Sequence, residues 1–349
     1  MIIKILIIFA ILATALFSVY FFSRRKLRVR LTSQSQIIQT AAGLVEYIDI
    51  GKGPVVVHVH GMSGGFDHWK WCQFLVKVGF RVIVPSRPGY LRTPLTSGRT
   101  PGEQATLIAA LLDTLGIERV ALYAYSQGGA SSLQFAWAFP ERCWGLILFS
   151  AITRPQPELS KILPYIRIFM TLDFLLWMLG PVMLAWIMEQ AKKALPAEIQ
   201  QDEEKMAGIR YILSATLQAS LRGQGLVNDF TNSVGWPGLP LDQLETPTLI
   251  LHGCKDIFIK VEDSIEAAQE IPGAKFISLD GAGHEALAAW IDQIETPVSD
   301  FLKFHTPLEQ VSYMEEIIDD ENSTMARRSA HPGIRFSMDN IPPGHDEST

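Results

Sequence analysis

Cysteine is scarce in this 349-residue chain, with only Cys72, Cys143 and Cys254. An odd number at unrelated spacings excludes a disulfide framework. Buried free thiols are the expectation, in keeping with a reducing compartment. Excess positive charge is also missing: 30 lysines and arginines face 36 acidic residues, for a net charge of −6. With no basic patch in the middle of the chain, nucleic acid is not an expected partner. Histidine and cysteine show no metal-ligand spacing, so no metal site is expected. His58 and His60 end an apolar run and read as a buried sheet residue and a loop-shaping residue, and His252 reads as structural. His68, beside Trp69 and near Trp71, reads as lying on a helix face. No internal repeat is evident. One stretch, residues 5–22, has no charge at all.

Apolar residues, by contrast, are abundant. They make up 48% of the chain, and the mean hydropathy is +0.17. A soluble domain needs less, and the excess sits in two places. Residues 5–22 carry only the hydroxyls of Thr14, Ser18 and Tyr20 and are long enough to span a bilayer as a helix. Ala13-Thr14-Ala15 would suit signal cleavage, but the apolar run continues past it to Tyr20, Phe21 and Phe22, which suit an interfacial aromatic anchor. An uncleaved, single-pass N-terminal anchor over residues 1–30 is therefore predicted. Arg24, Arg25, Lys26, Arg28 and Arg30 follow the run and only Lys4 precedes it, which predicts a cytoplasmic location for the rest of the chain. That basic flank reads equally as a solvated stop-transfer signal or as a contact for anionic headgroups.

The second excess lies in residues 152–243, where strand–helix alternation stops and helical patterns take over. Phe174-Leu175-Leu176-Trp177-Met178-Leu179 and Met183-Leu184-Ala185-Trp186-Ile187-Met188 are separated by Gly180-Pro181. Arg167 and Asp173 lie within the run, so each uncharged half is too short to span a membrane. The pattern predicts two helices broken at Gly180-Pro181, with Trp177 and Met183 lining a hydrophobic pocket or else packing within the insertion itself. Residues 197–224 read as an amphipathic helix.

Outside the insertion, apolar runs at 44–50, 55–60, 81–85, 120–124, 144–150, 248–251 and 275–279 read as strands. Helical patterns lie between them, such as 103–115 with Leu107, Ile108, Leu111, Leu112 and Leu115. This alternation predicts an α/β fold, a mostly parallel sheet with helices on both faces, divided by the insertion into 31–151 and 244–305. From Thr306 onward, Asp319-Asp320-Glu321 and Pro342-Pro343 mark a tail, 306–349, that reads as disordered. Asn322-Ser323-Thr324 fits a glycosylation acceptor, but a cytoplasmic domain makes it a chance match.

The chemistry-bearing residues follow strands. Ser126 lies in Ala124-Tyr125-Ser126-Gln127-Gly128, between a strand and a helix. Small residues at 124 and 128 let the chain reverse sharply and expose the hydroxyl. Asp256 follows the strand ending near His252, and His284 follows the last strand within Gly281-Ala282-Gly283-His284. A serine hydroxyl needs a base, and an imidazole needs an acid to fix its tautomer. Asp280 is a rival acid but sits too near His284 in the chain and suits a turn. Glu285 suits the start of the next helix. After the strand at 55–60 comes Gly61-Met62-Ser63-Gly64-Gly65.

Together with Ser86-Arg87-Pro88-Gly89-Tyr90, these motifs make residues 43–302 resemble the α/β-hydrolase superfamily. The Ala at 124, where the family pattern has Gly, is a mild departure. The resemblance implies Ser126 as nucleophile, His284 as base and Asp256 as its partner, with the N–H groups of Met62 and Gln127 forming an oxyanion hole. Ser63 and Tyr125, beside these positions, are candidate substrate contacts. The resemblance implies no metal and no organic cofactor. Anchor and apolar insertion point to a small-molecule hydrophobic or lipid-like carboxylic ester as substrate, with oligomeric state left open. The alternatives are C–C bond hydrolysis or cofactor-free peroxidase chemistry on the same serine, or a non-catalytic membrane-tethered binding protein.

Overall fold

The computed structural model describes residues 1–310. Most of the expected tail, including Asn322, lies outside the described residues. Helix α1 (Ile2–Thr32) comes first. Its apolar segment is unburied by the rest of the protein. Thr14 and Ser18 turn their hydroxyls back onto the carbonyls of Ala10 and Thr14, both at 2.8 Å, so no side-chain polarity is spent outside the helix there.

Strands β1 (Gln36–Thr40), β2 (Gly43–Ile50), β3 (Val55–Val59), β4 (Arg81–Pro85), β5 (Val120–Tyr125), β6 (Cys143–Phe149), β7 (Thr248–Gly253) and β8 (Lys275–Leu279) form one sheet. Their spatial order is β1-β2-β4-β3-β5-β6-β7-β8. The first two joins are antiparallel and the rest parallel. β1 was not anticipated: Gln36-Ile37-Ile38-Gln39-Thr40 is short and only partly buried, so it carries little apolar signal.

Helices α2 (Gln73–Lys77), α3 (Pro101–Thr114) and α4 (Gly128–Ala138) cross between the early strands. The pleat decides which face each strand residue serves. Val120, Leu122 and Ala124 of β5 join the core under α3 and α4, whereas Ala121, Tyr123 and Tyr125 point to the opposite core. Helix α3 begins two residues before the expected 103, because Thr100 and Glu103 form a capping box ahead of Pro101.

The insertion between β6 and β7 holds α5 (Leu163–Phe169), α6 (Asp173–Ala194), α7 (Ala197–Gln201), α8 (Glu203–Thr216) and α9 (Ala219–Gly235). Two expectations are corrected here. The apolar run breaks at 170–172, not at Gly180-Pro181, and α6 passes through Pro181. Proline forfeits one backbone bond, but Leu176, Gly180 and Met188 are buried on one side and keep both halves in line. Residues 197–224 form parts of three helices, not one. Asp202 ends α7 and caps α8, accepting the Lys205 N–H at 3.0 Å. By length and composition α6, like α1, could cross a membrane. After the insertion, α10 (Val261–Glu270), α11 (Ala286–Ala289) and α12 (Ile291–His305) complete the described chain. α10 lies with α3 and α4 on one face of the sheet, and α2 and α12 cover the other.

Candidate active site

The turn from β5 to α4 turns on Ser126, whose φ of 53° is left-handed and costs a non-glycine residue ~1–3 kcal/mol. The turn is held from β6: Ser126 N–H donates to Phe149 at 3.1 Å and its carbonyl accepts from Ile152 at 2.9 Å. Gly128 is required here, because a Cβ would lie 2.1 Å from the Val59 carbonyl oxygen. Ala124 is fully buried as an ordinary strand residue, which is why its extra methyl is tolerated.

Loops after β7 and β8 bring the other two groups in. His284 Nε2 lies 2.9 Å from Ser126 Oγ, and its Nδ1 lies 2.7 Å from Asp256 Oδ2. The carboxylate accepts the Nδ1 proton and leaves the Nε2 lone pair facing the serine. Asp256 is in turn fixed through Oδ1 by the N–H groups of Phe258 and Ile259 at 2.8 and 3.0 Å. Burial alone would push its carboxyl up, but hydrogen bonds from His252 and His284 hold it well below the usual carboxylate range. His252, expected to be only structural, therefore also faces Asp256, at 3.3 Å, while its other nitrogen meets Ser264. Ser126 is only 6% exposed and the His284 side chain 18%.

Tyr125 is placed differently from the expected substrate contact. It is buried beneath His284, stacks on that ring at 5.3 Å and donates its hydroxyl to the His284 carbonyl at 2.7 Å. It supports the histidine loop. Trp177 packs against Phe174 within the insertion, the second of its two expected roles, and also against Tyr20 of α1, with centroids 5.9 and 5.4 Å apart. Met183 is half-buried on α6. Cys254, expected buried, is exposed on the loop after β7, whereas Cys72 and Cys143 are buried.

The glycine loop after β3 lies against the serine. A Cβ on Gly61 would sit 2.7 Å from Ser126 Cβ. The next residue is Met62, and neither its N–H nor that of Gln127 donates to an acceptor among the described residues. Two such amides beside a serine hydroxyl could receive a developing negative charge. Ser63 is buried with φ 59°. His60 shapes the loop as expected: its Nε2 accepts the Arg87 N–H at 2.9 Å, so Nδ1 carries the proton and donates to the Gly61 carbonyl at 2.7 Å. Burial and then the Arg87 charge hold this imidazole neutral, well below its ordinary pKa. His58 is fully buried and bonds the Tyr123 carbonyl at 2.9 Å. His68 lies in a 3-10 helix, Phe66–Cys72, with its ring edge-on to Trp71.

Sequence reading missed what holds this loop: two buried ion pairs from α9. Arg222 donates to the carbonyls of Ser63 and Gly64 at 3.0 and 2.5 Å and pairs with Asp67 at 2.6 Å. Asp67 also accepts the Tyr211 hydroxyl from α8. Burial would raise this carboxyl, but the Arg222 charge and its hydrogen bonds bring it down to about 2. Seven residues on, Asp229 pairs with Arg87 at 2.5 Å and accepts the Tyr90 hydroxyl at 2.5 Å. Arg87 carries the contact to the His60 carbonyl at 2.8 Å. The Gln127 side chain is held by the Asp229 carbonyl at 3.2 Å and by Ser233 at 3.0 Å. One face of α9 therefore grips the loops that follow β3, β4 and β5. The available signal was a pair of opposite charges two helical turns apart on an otherwise amphipathic pattern.

The chain is similar to known proteins over most of its length. The family model described as "Alpha/beta hydrolase family" matches residues 56–297. An uncharacterized hydrolase, YcgS, of Bacillus subtilis is 29% identical over 256 residues, 69% of this chain and 88% of that protein. A 2-hydroxy-6-oxo-6-phenylhexa-2,4-dienoate hydrolase of Burkholderia cepacia is 27% identical over 275 residues, 73% of this chain and 89% of its own. The solved structure of an alpha/beta hydrolase fold protein from Nakamurella multipartita superposes with a TM-score of 0.62 at 30% identity, covering 77% of this chain and 98% of that one.

Proposed function

The chain belongs to the alpha/beta hydrolase family, and on that premise we propose that it is a membrane-anchored serine hydrolase of hydrophobic carboxylic esters. The observation that carries this reading is the continuous relay from Asp256 through His284 to Ser126 Oγ, with spacings of 2.7 and 2.9 Å. His284 takes the serine proton as Ser126 attacks the ester carbonyl. The N–H groups of Met62 and Gln127 stabilise the oxyanion of the tetrahedral intermediate. Asp256, held ionised, keeps the imidazole in its tautomer and stabilises the imidazolium. His284 then protonates the leaving alcohol. Water, deprotonated by the same ring, cleaves the acyl-enzyme and returns Ser126.

An uncharged helical stretch at the N-terminus and an apolar helix in the insertion support a hydrophobic substrate. The dienoate hydrolases among the relatives favour a second reading, hydrolysis of a carbon–carbon bond in a carboxylate-bearing substrate. A buried carboxylate needs a cationic partner. Arg87 and Arg222, the buried arginines bonded to the loop, are each already paired with an aspartate. That commitment supports the ester.

Fluorophosphonate labelling of the membrane fraction, followed by hydrolysis of p-nitrophenyl esters of rising chain length, tests the proposal. Labelling should vanish in Ser126→Ala, and activity should rise toward longer acyl chains. Turnover of a 2-hydroxy-6-oxo-dienoate with no ester hydrolysis would establish the second reading. Folded protein that is never labelled would leave only a binding role.

A further inference from the structure

Between Phe174 and Met188 helix α6 is apolar on all sides, and the fold uses only part of that surface. Leu176, Gly180 and Met188 face inward and are buried. Leu172, Leu175, Leu179, Val182 and Trp186 recur at intervals of three and four residues and are exposed, Val182 at 72% and Trp186 at 66%. That spacing draws a single stripe ~20 Å long on one face of the helix. Contiguous exposed apolar surface of this size marks an interaction site.

The start of the stripe is tied to α1. Arg24 pairs with Asp173 in the first turn of α6 at 2.7 Å, and the Tyr20 hydroxyl donates to the same carboxylate at 2.6 Å. Phe17 stacks on Phe174, Tyr20 meets that ring edge-on, and Tyr20 also meets Trp177. These α1 residues mark the point where its uncharged run gives way to Arg24, Arg25 and Lys26. In a bilayer helix that point lies at the headgroup boundary.

We propose that the exposed stripe of α6 lies on the cytoplasmic bilayer surface, sunk to the depth where headgroups meet acyl chains, with anionic lipid as its partner. This rests on reading α1 as a bilayer anchor. The Arg24–Asp173 and Tyr20–Asp173 bonds bring the start of α6 to the boundary that α1 defines. In the last turn of α6 Lys193 pairs with Glu189 at 3.8 Å, and Lys192 supplies positive charge for headgroups at that end. The buried inward face keeps α6 from spanning the bilayer, because Leu176 and Met188 would have to leave the fold.

The test uses the full chain in vesicles of phosphatidylcholine and phosphatidylglycerol. Cys254 is replaced by serine, leaving Cys72 and Cys143 buried. Single cysteines are then placed by Leu12→Cys, Val182→Cys or Lys52→Cys and labelled with an environment-sensitive fluorophore. Shallow-brominated lipid should quench the label at 182 at least about twofold more than the label at 52, as an interfacial helix requires. Quenching at 12 but not at 182 would overturn the seat while the anchor stood. Quenching at neither would sink the anchor reading and the inference together. A blue shift at 182 that depends on protein concentration and ignores brominated lipid would assign the stripe to a second copy of the chain, also overturning the proposal.

Discussion

Replacing Arg222 with methionine tests whether the insertion positions the oxyanion loop. Methionine fills much of the arginine volume but returns nothing to Asp67, Ser63 or Gly64. Arg222 and Asp67 are both almost wholly buried, so the substitution leaves a carboxylate with only the Tyr211 hydroxyl as partner among the described residues. Breaking one partner out of a buried ion pair costs ~3–5 kcal/mol. A domain with ~10 kcal/mol of stability, the middle of the usual range, survives that loss with a midpoint lower by about 10 °C. The kinetic effect is separate. The carbonyls that Arg222 holds belong to the two residues after Met62, so its loss frees the loop that carries one proposed oxyanion donor. Losing such a donor typically costs ~100- to 1,000-fold in kcat. The assay is p-nitrophenyl butyrate hydrolysis well below the new melting midpoint, with active sites counted by fluorophosphonate. The expected result is a kcat lowered by ~100-fold with KM little changed, since the loop acts on the transition state. Arg222→Lys, which restores charge but not the fork to two carbonyls, should recover stability more than kcat. A methionine variant that is folded, destabilised as expected, yet within threefold of the parent in kcat would refute the positioning argument.

Three further outcomes follow from the same geometry. Asp256→Asn should fold but lose ~10,000-fold in kcat, because the amide no longer selects the Nδ1-protonated tautomer of His284; steady-state kinetics checks it. Gly128→Ala should destabilise by about 3 kcal/mol or more, measured by denaturant unfolding, since its new methyl would meet the Val59 carbonyl oxygen at 2.1 Å. On the acid side, Asp67 titrates at about 2 in the folded protein, below its unfolded value near 4. The folded state thus binds that proton more weakly, so this contribution is complete above roughly pH 4–5 and is lost as pH falls through about 2. Thermal melts between pH 6 and 2 should show that decline, and Asp67→Asn should flatten it.

Some of this molecule could be read along the chain because the relevant forces are local or periodic. Strand runs such as Val120-Ala121-Leu122-Tyr123 carry their burial in their own composition. The Ser126 turn announces itself because only small neighbours allow that backbone. The order of Ser126, Asp256 and His284 follows from each sitting just past a strand, and a parallel sheet aligns those ends. Helix α1 is legible because a long apolar run without charge shows in composition alone. The tertiary structure alone decided the rest, and it did so through contacts between residues far apart in sequence. Trp177 looks like a pocket residue by type, but its neighbour proved to be Tyr20 of the N-terminal helix. Tyr125 looks available beside Ser126 until the His284 loop closes over it. Pro181 reads as a break unless the buried side of α6 holds the helix together. The pairs Asp67–Arg222 and Arg87–Asp229 span more than 140 positions each, and a buried charge has no sequence signature apart from its partner. Local propensity and periodicity thus determined the sheet and the order of the reactive groups, whereas long-range charge pairing and packing decided how the insertion holds them in place.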